Sequence, residues 1–450
     1  MADAAANKRR RRRCIPMDDG LAALPEPLLY EVLFRVGNVK DLFKLAVTCR
    51  RWLRRLTDPA FLRGLCPAKG EGHAARLLGF LSLKKKTEHG TSVVIAPDFI
   101  PAPGSPLGTT SFLANDDGAF NGAKLLAARR GLVLMRQFGA RTSERTISLL
   151  LSLCNPITGE RHALPALDQW GHGRDGSNYD IMHGCAIITA ADSEDGLNGK
   201  KSPPVVVVVI RAALHLLLIV PHKGDLYLHS YSAATRSWSM PVICPDSIYS
   251  LVGCRHDDVR TAVVHRGAAH WLCVDKRGDD YSLYKLSVKA GTTHVSLTKL
   301  PVYGGGKPFL CVRREGKLAV AFVYMSHVTV WTQQGGDEGG DGTAAAWHRT
   351  VAFVIPAVVP YPYQPLSSYE WYDFSRGAML LVHRTGGVFI LDLEKKVMEK
   401  VMDCPTLPLK DGKNLIKQMP MAYEVDLVDF FVLQLGGGPR KYYLRSRKST

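Results

Sequence analysis

Apolar positions recur with two different periods along this chain, and the change of period divides it. Over residues 20–66 the spacing is helical. Leu28, Val32, Leu33 and Val36 form one stripe, and Leu42, Leu45, Ala46, Cys49, Trp52, Leu53 and Leu56 form a longer one. Asp41 stands at the start of the second stripe and Thr48 inside it, each a candidate N-cap. Thr57-Asp58-Pro59 is a stop signal. From about residue 90 the helical period disappears. Short runs of Val, Leu, Ile and Tyr alternate with Gly, Pro and Asp, and each run has the length of a strand. The runs at 131–136, 148–154, 205–210, 214–220, 226–231, 269–274, 281–288, 317–324, 327–332, 379–382 and 388–393 are the clearest.

More than 300 residues of short strands without long helices predict an all-β region. So many strands need closure to protect their edges, and a β-propeller or a propeller-like sandwich supplies it. Tryptophans at 170, 238, 271, 331, 347 and 371 are unevenly spaced, so no strict repeat exists. Roughly 20 strand candidates at four per blade give about five to seven blades. Three polar or glycine-rich stretches read as surface insertions: 192–204, 304–306 and 335–342. The division this predicts is a basic arm at 1–19, a helical unit at 20–66, a linker at 67–90, a β region at 91–435 and a basic tail at 436–450.

Composition adds a soluble globular character, with 46% hydrophobic and 22% charged residues. The formal net charge is +17, but Lys8–Arg13 and the five cations between 440 and 448 hold most of it, leaving only about +6 for the body. Basic ends of this kind serve nuclear import or loose polyanion contact, or are simply solvated; nucleic acid is not the expected primary partner. The run 205–220 is about 16 residues, short of the roughly 20 that span a bilayer, and Arg211 and His215 interrupt it. It reads as two buried strands, and no membrane partner is expected. Ten scattered cysteines without a CxxC pair, no glycosylation sequon and no secretory leader favour a reducing compartment, the nucleus or the cytoplasm.

Residues 24–62 read LPEPLLYEVLFRVGNVKDLFKLAVTCRRWLRRLTDPAFL. The positions Leu24-Pro25-Glu26, Leu28-Leu29, Val32-Leu33, Val39, Asp41-Leu42, Leu45, Val47, Cys49-Arg50-Arg51-Trp52, Leu56 and Phe61 closely resemble the F-box family across the whole motif. Val36-Gly37 departs from it, where many members have Leu-Pro. The resemblance implies a three-helix unit that docks a Skp-type adaptor and, through it, a cullin. It implies adaptor contacts at Leu24, Pro25, Leu28, Val32 and Leu42, with Leu45, Val47, Trp52 and Leu56 holding the helices together. Helices this short bury too little apolar surface to offset the roughly 1–2 kcal/mol per residue of ordering, so a shared apolar surface is expected.

In the β region, Cys154–Gly159 followed by Leu164-Pro165, then YSAATRSW at 231–238, VHRGAAHWL at 264–272, VFILDLE at 388–394 and YEVDL at 423–427 resemble, in that order, the C-terminal part of a grass-type group of plant F-box proteins. The fold implied is a small all-α F-box followed by a large all-β, propeller-like domain that recruits a target protein. The F-box resemblance also implies a non-catalytic subunit. Locally, Asn-Pro and Thr-Gly are turn formers, so these residues read as structural before they read as ligand contacts.

No catalytic constellation emerges. Gly171–Gly176 satisfies G-x-G-x-x-G but lacks a strand before it and a helix after it. His183-Gly184-Cys185 lacks a second pair at zinc spacing, so no metal or cofactor is expected. Two other functions fit parts of the chain. One is a nuclear nucleic-acid-associated regulator using the basic ends. The other is a propeller lectin or small-molecule receptor, for which the aromatic cluster Tyr361, Tyr363, Tyr369, Trp371 and Tyr372 would line a pocket. The target-binding residues are not legible.

Overall fold

The computed structural model describes residues 25–36, 39–48, 50–58, 60–62, 76–88, 92–103, 105, 120–137, 148–168, 182–189, 192, 214–222, 225–245, 248–252, 260–275, 282–292, 294–324, 326–334, 346–354, 369–374, 377–383, 386–403, 420–427 and 430–431. Three helices come first: α1 (Glu26–Arg35), α2 (Val39–Thr48) and α3 (Arg50–Leu56). Pro25 precedes α1 with a fixed φ suited to a helix start. The α3 helix ends before Thr57, whose hydroxyl donates back to the Leu53 carbonyl at 2.8 Å.

Six sheets follow, arranged as a six-bladed β-propeller. Blade one opens with the hairpin β1 (Leu77–Glu88) and β2 (Ser92–Pro101). Blade two contains β3 (Lys124–Arg129), β4 (Leu132–Gln137), β5 (Ser148–Asn155), β6 (Glu160–Ala163) and β7 (Leu167–Asp168). Blade three contains β8 (Gly184–Ile188), β9 (His215–His222), β10 (Asp225–Ser232), β11 (Ser237–Trp238) and β12 (Val242–Ile243). Blade four contains β13 (Ile248–Leu251), β15 (Val263–His265), β16 (Ala268–Asp275), β17 (Leu283–Lys289) and β18 (Val295–Lys299). Its first strand is interrupted: β14 (Arg260–Thr261) crosses over and pairs in parallel with β8. Blade five is β19 (Lys307–Val312), β20 (Leu318–Val323), β21 (His327–Gln334) and β22 (Ala346–Val354), and blade six is β23 (Tyr369–Phe374), β24 (Ala378–His383), β25 (Gly387–Asp392) and β26 (Val397–Met402). The last strand, β27 (Met421–Glu424), returns to blade one and pairs antiparallel with β1.

Alternation along single strands builds the ring. In β9, Leu216, Leu218 and Val220 join the core against blade two, while Leu217 and Ile219 join the core against blade four. In β20, Ala319 and Ala321 face blade six, while Leu318, Val320 and Phe322 face blade four. In β24, Met379 and Leu381 face blade five, while Leu380 and Val382 face blade one. Each central strand is thus buried on both sides, which is why it reads as an unbroken apolar run. The hairpins between first and second strands turn on Arg130-Gly131 and Arg266-Gly267, whose positive φ values (48° and 79°; 48° and 73°) fit a type I′ turn.

Two boundaries differ from the sequence-based expectation. Residues 77–88 lie inside the expected 67–90 linker, yet form the central strand of blade one; the lysines and threonine at 84–87 mask its period. Asp192, at the edge of an expected surface insertion, is 1% exposed. The strand expected at 205–210 lies outside the described residues. The other half of that apolar run is β9, and among the described residues no helix is long and apolar enough to cross a membrane.

Candidate interaction site

The helices and the propeller share one core. Leu29, Leu33, Val39, Leu42, Phe43, Ala46, Trp52 and Leu56 belong to the same buried cluster as Leu81, Phe99, Leu125, Val133, Tyr423, Phe430 and Phe431. The Phe43 ring lies 6.3 Å from Phe430 and 6.5 Å from Phe431, centroid to centroid. The partner for the helices' apolar surface is therefore supplied, on this side, by the chain's own blades one and two.

That packing sorts the expected contact residues. Leu24 lies outside the described residues. Pro25 is exposed, and Leu28 and Val32 are 49% and 40% exposed. At i, i+3 and i+7 these three form one outward apolar stripe on α1. Leu42, expected on the same surface, is instead 3% exposed and packs inward with the blades. Trp52 and Leu56 are buried as expected for helix-core residues, and Leu45 and Val47 sit half-buried at the margin.

The polar groups outside this stripe mostly fasten blades together. Asp192 receives Arg129 Nη1 and Nη2 at 2.6 and 2.7 Å, Arg130 Nε at 3.2 Å, and the Thr189 N–H at 2.7 Å. Burial pushes this carboxyl up, but the two guanidinium charges and the donated hydrogen bonds outweigh it and hold it below the ordinary carboxylate range. Arg313 clasps Glu394 of blade six through two bonds of 2.7 and 2.6 Å. The Trp238 indole donates to the Pro165 carbonyl of blade two at 2.9 Å. On the innermost strand of blade six, Asp373 accepts the Val312 N–H at 3.2 Å. Burial raises its carboxyl to about 7, with Glu424 adding to the rise and the Val312 N–H and Arg129 opposing it. Asp373 nonetheless presents open surface, so water weakens that effect.

The motifs weighed for chemistry resolve structurally or fall outside the described residues. Cys185 donates its S–H to the Leu126 carbonyl at 3.3 Å, and Gly184 is required by close approach: a Cβ there would meet Leu251 Cδ1 at 2.8 Å and Trp271 Nε1 at 2.9 Å. Cys154 and Cys244 are free and buried, and burial pushes both thiols up to about 12. Among the described residues no group of three metal-ligating side chains comes together. The glycine run 171–176, Tyr361 and Tyr363, and both basic ends lie outside the described residues. Asn155, in the NPITG turn, accepts the N–H groups of Ile157 and Thr158 at 3.1 and 3.2 Å and closes the link from β5 to β6.

Sequence reasoning missed Tyr303, which is 73% exposed on the connection from blade four to blade five. Its ring centroid lies 5.1 Å from that of Trp331. The glycines that follow it were the visible signal.

No family model matches the chain, and no curated protein matches it. Solved structures resemble it only loosely. A Penicillium chrysogenum α-L-arabinanase complexed with arabinobiose is 11% identical, with 63% of this chain and 80% of that one covered at a TM-score of 0.34. A GH93 α-L-arabinofuranosidase of Fusarium graminearum is 11% identical, with 67% and 82% covered at 0.33. A functionally unknown protein from Desulfotomaculum acetoxidans is 11% identical, with 77% and 99% covered at 0.32. Likenesses this weak carry no argument about activity.

Proposed function

We propose that this chain is a non-catalytic substrate receptor of a Skp-cullin-F-box ubiquitin ligase, in which α1 docks the adaptor and the propeller presents a target protein. The observation that carries the reading is the stripe Pro25, Leu28 and Val32. The neighbouring apolar positions of the three helices turn into a core shared with the blades, while these three remain at the surface. Apolar anchors at helical spacing are what a helix presents to a partner groove. The F-box-like sequence of residues 24–62 names the adaptor as that partner. The mechanism is proximity: a target held on the propeller meets a ubiquitin carrier held by the cullin at a raised effective concentration.

The test is co-purification of a Skp-type adaptor with the full chain and with a Leu28→Asp/Val32→Asp variant. Both positions are exposed, so the variant keeps its melting temperature. Adaptor retention by the wild type and a loss of at least about tenfold in the variant support the reading. A wild-type chain that retains no adaptor, or a variant that retains it fully, removes it.

A further inference from the structure

Among the described residues only four other than glycine hold a positive φ, and all four are cations: Arg130 (48°), Arg236 (56°), Arg266 (48°) and Lys396 (57°). Glycine takes this left-handed conformation freely, and Asn and Asp are the side chains that tolerate it best. Arg236 and Lys396 each end a four-residue turn from a third strand to a fourth, and the matching turn of blade two ends on Gly159, at 75°. Arg130 and Arg266 each precede a glycine in a turn from first to second strand, where Asn or Asp is the favoured residue. A long cation therefore stands four times where the backbone suits a smaller residue, so the charge itself needs a reason. Successive strands of a blade are antiparallel, which brings its one-to-two and three-to-four turns to the same end. The first strands of a propeller's blades all run one way, so the four tips, on blades two, three, four and six, share one end of the ring. The helices belong to that end, since Phe430 packs against both Phe43 and the position of Gly131. The carboxylates beside Arg130 and Lys396 are engaged inside the fold: Asp192 holds Arg129 and Arg130, Glu394 holds Arg313, and Asp392 accepts the N–H groups of Glu394 and Lys395. Arg236, Arg266, Lys395 and Lys396 are exposed, and Arg314, in the one-to-two turn of blade five, adds a further exposed cation.

We infer that the turn-bearing end of the propeller is a docking surface for an extended, acidic polypeptide segment. Charge complementarity selects this occupant. A guanidinium fork matches both oxygens of a carboxylate, and three of the four tips are arginines. The tips sit on four different blades and not along one strand or helix, so a flexible acidic chain can reach them in turn where a rigid partner would need them aligned. Exposed cations of this kind steer an acidic segment to the surface and set its specificity more than its affinity. The inference rests on the receptor reading only in making that segment part of the target; the binding itself requires no adaptor. Because the helices belong to the same end, a segment held there lies on the side of the propeller from which the adaptor is approached.

The experiment uses the full chain and a labelled peptide of about ten glutamates, with an alanine-serine peptide of equal length as control, read by fluorescence anisotropy at low salt. Saturable binding of the acidic peptide alone is expected. The variant Arg236→Gly/Arg266→Gly/Lys396→Gly removes three charges and gives each turn the residue its backbone favours. Its melting temperature should hold or rise while binding weakens by about tenfold, a combination that cations with a purely structural role would not give. A second variant, Lys299→Glu/Arg349→Glu, alters exposed cations away from these turns and should bind as the wild type does. Absence of saturable binding by the wild type overturns the inference. So does full binding by the glycine variant, which would assign the peptide to the basic ends of the chain, or equal loss in both variants, which would reduce the effect to net charge. Tighter binding of a ten-nucleotide single-stranded DNA, lost in the glycine variant, would make the surface a nucleic-acid site and overturn it too. Co-purification of the adaptor with the glycine variant separates the two readings: adaptor retained with peptide binding lost is the expected pair, whereas a wild type that binds peptide but never adaptor sinks the receptor reading and leaves the surface standing.

Discussion

At Asp192 one carboxylate takes up donors from Arg129, Arg130 and Thr189, the arginines lying more than 60 positions away in sequence. Removing it takes from the half-buried Arg129 and Arg130 the carboxylate that both of them bind. Asp192→Ala should therefore cost about 3 kcal/mol, measured by urea denaturation at neutral pH. Because its folded-state value lies below the ordinary carboxylate range, this stabilisation is fully present above about pH 4 and drains away as pH falls toward the folded value. The stability difference between wild type and variant should shrink over that acid window. A constant difference down to the lowest pH would show that the charge is not what binds the two blades.

Single elements explain what could be read in advance. Strands such as β9 and β20 are legible because neighbouring blades bury both of their faces, leaving an apolar run with no polar interruptions. The strand β1 is not, because its second half carries lysines. Short outer strands such as β11 and β12, two residues each, owe their pairing to the strand beside them. The helical spacing of α1 and α2 is plain in the sequence. Which stripe would face outward is not, since Leu28 and Leu42 look equivalent until the blades are placed beneath one of them. The Trp331 indole, whose Nε1 is buried without a hydrogen-bond partner, likewise reads as an ordinary core residue. If the helices lean on the blades for stability, Phe43→Ala, which removes a ring packed against Phe430 and Phe431, should cost about 3–5 kcal/mol locally. Hydrogen exchange should then quicken across 26–56 while β9 and β20 keep their protection. Unchanged exchange in the helices would mean that they fold without the propeller.

For the molecule as a whole, the closing contact is β27 against β1, reinforced by the Tyr423 hydroxyl donating to the Gly131 carbonyl of blade two at 3.1 Å. Six inter-blade cores make a ring in which each sheet leans on two neighbours, so cutting one joint leaves two blade faces wet. A chain ending before residue 421 should lose its single cooperative calorimetric transition and melt over a broad range. A sharp transition in that shortened chain would place the stability in the separate blades.

The same joint has a consequence for biosynthesis. A ribosome delivers the chain from its N-terminal end, so α1 and the first hairpin emerge long before the strand that seals them. Until residues 421–431 have been translated, Phe43 lacks its aromatic neighbours and β1 lacks one of its two partners. A prematurely terminated product would then carry the helical sequence without the surface that organises it. The ring closure thus doubles as a completeness check: only a polypeptide read through to its final blade strand presents α1 on a finished support.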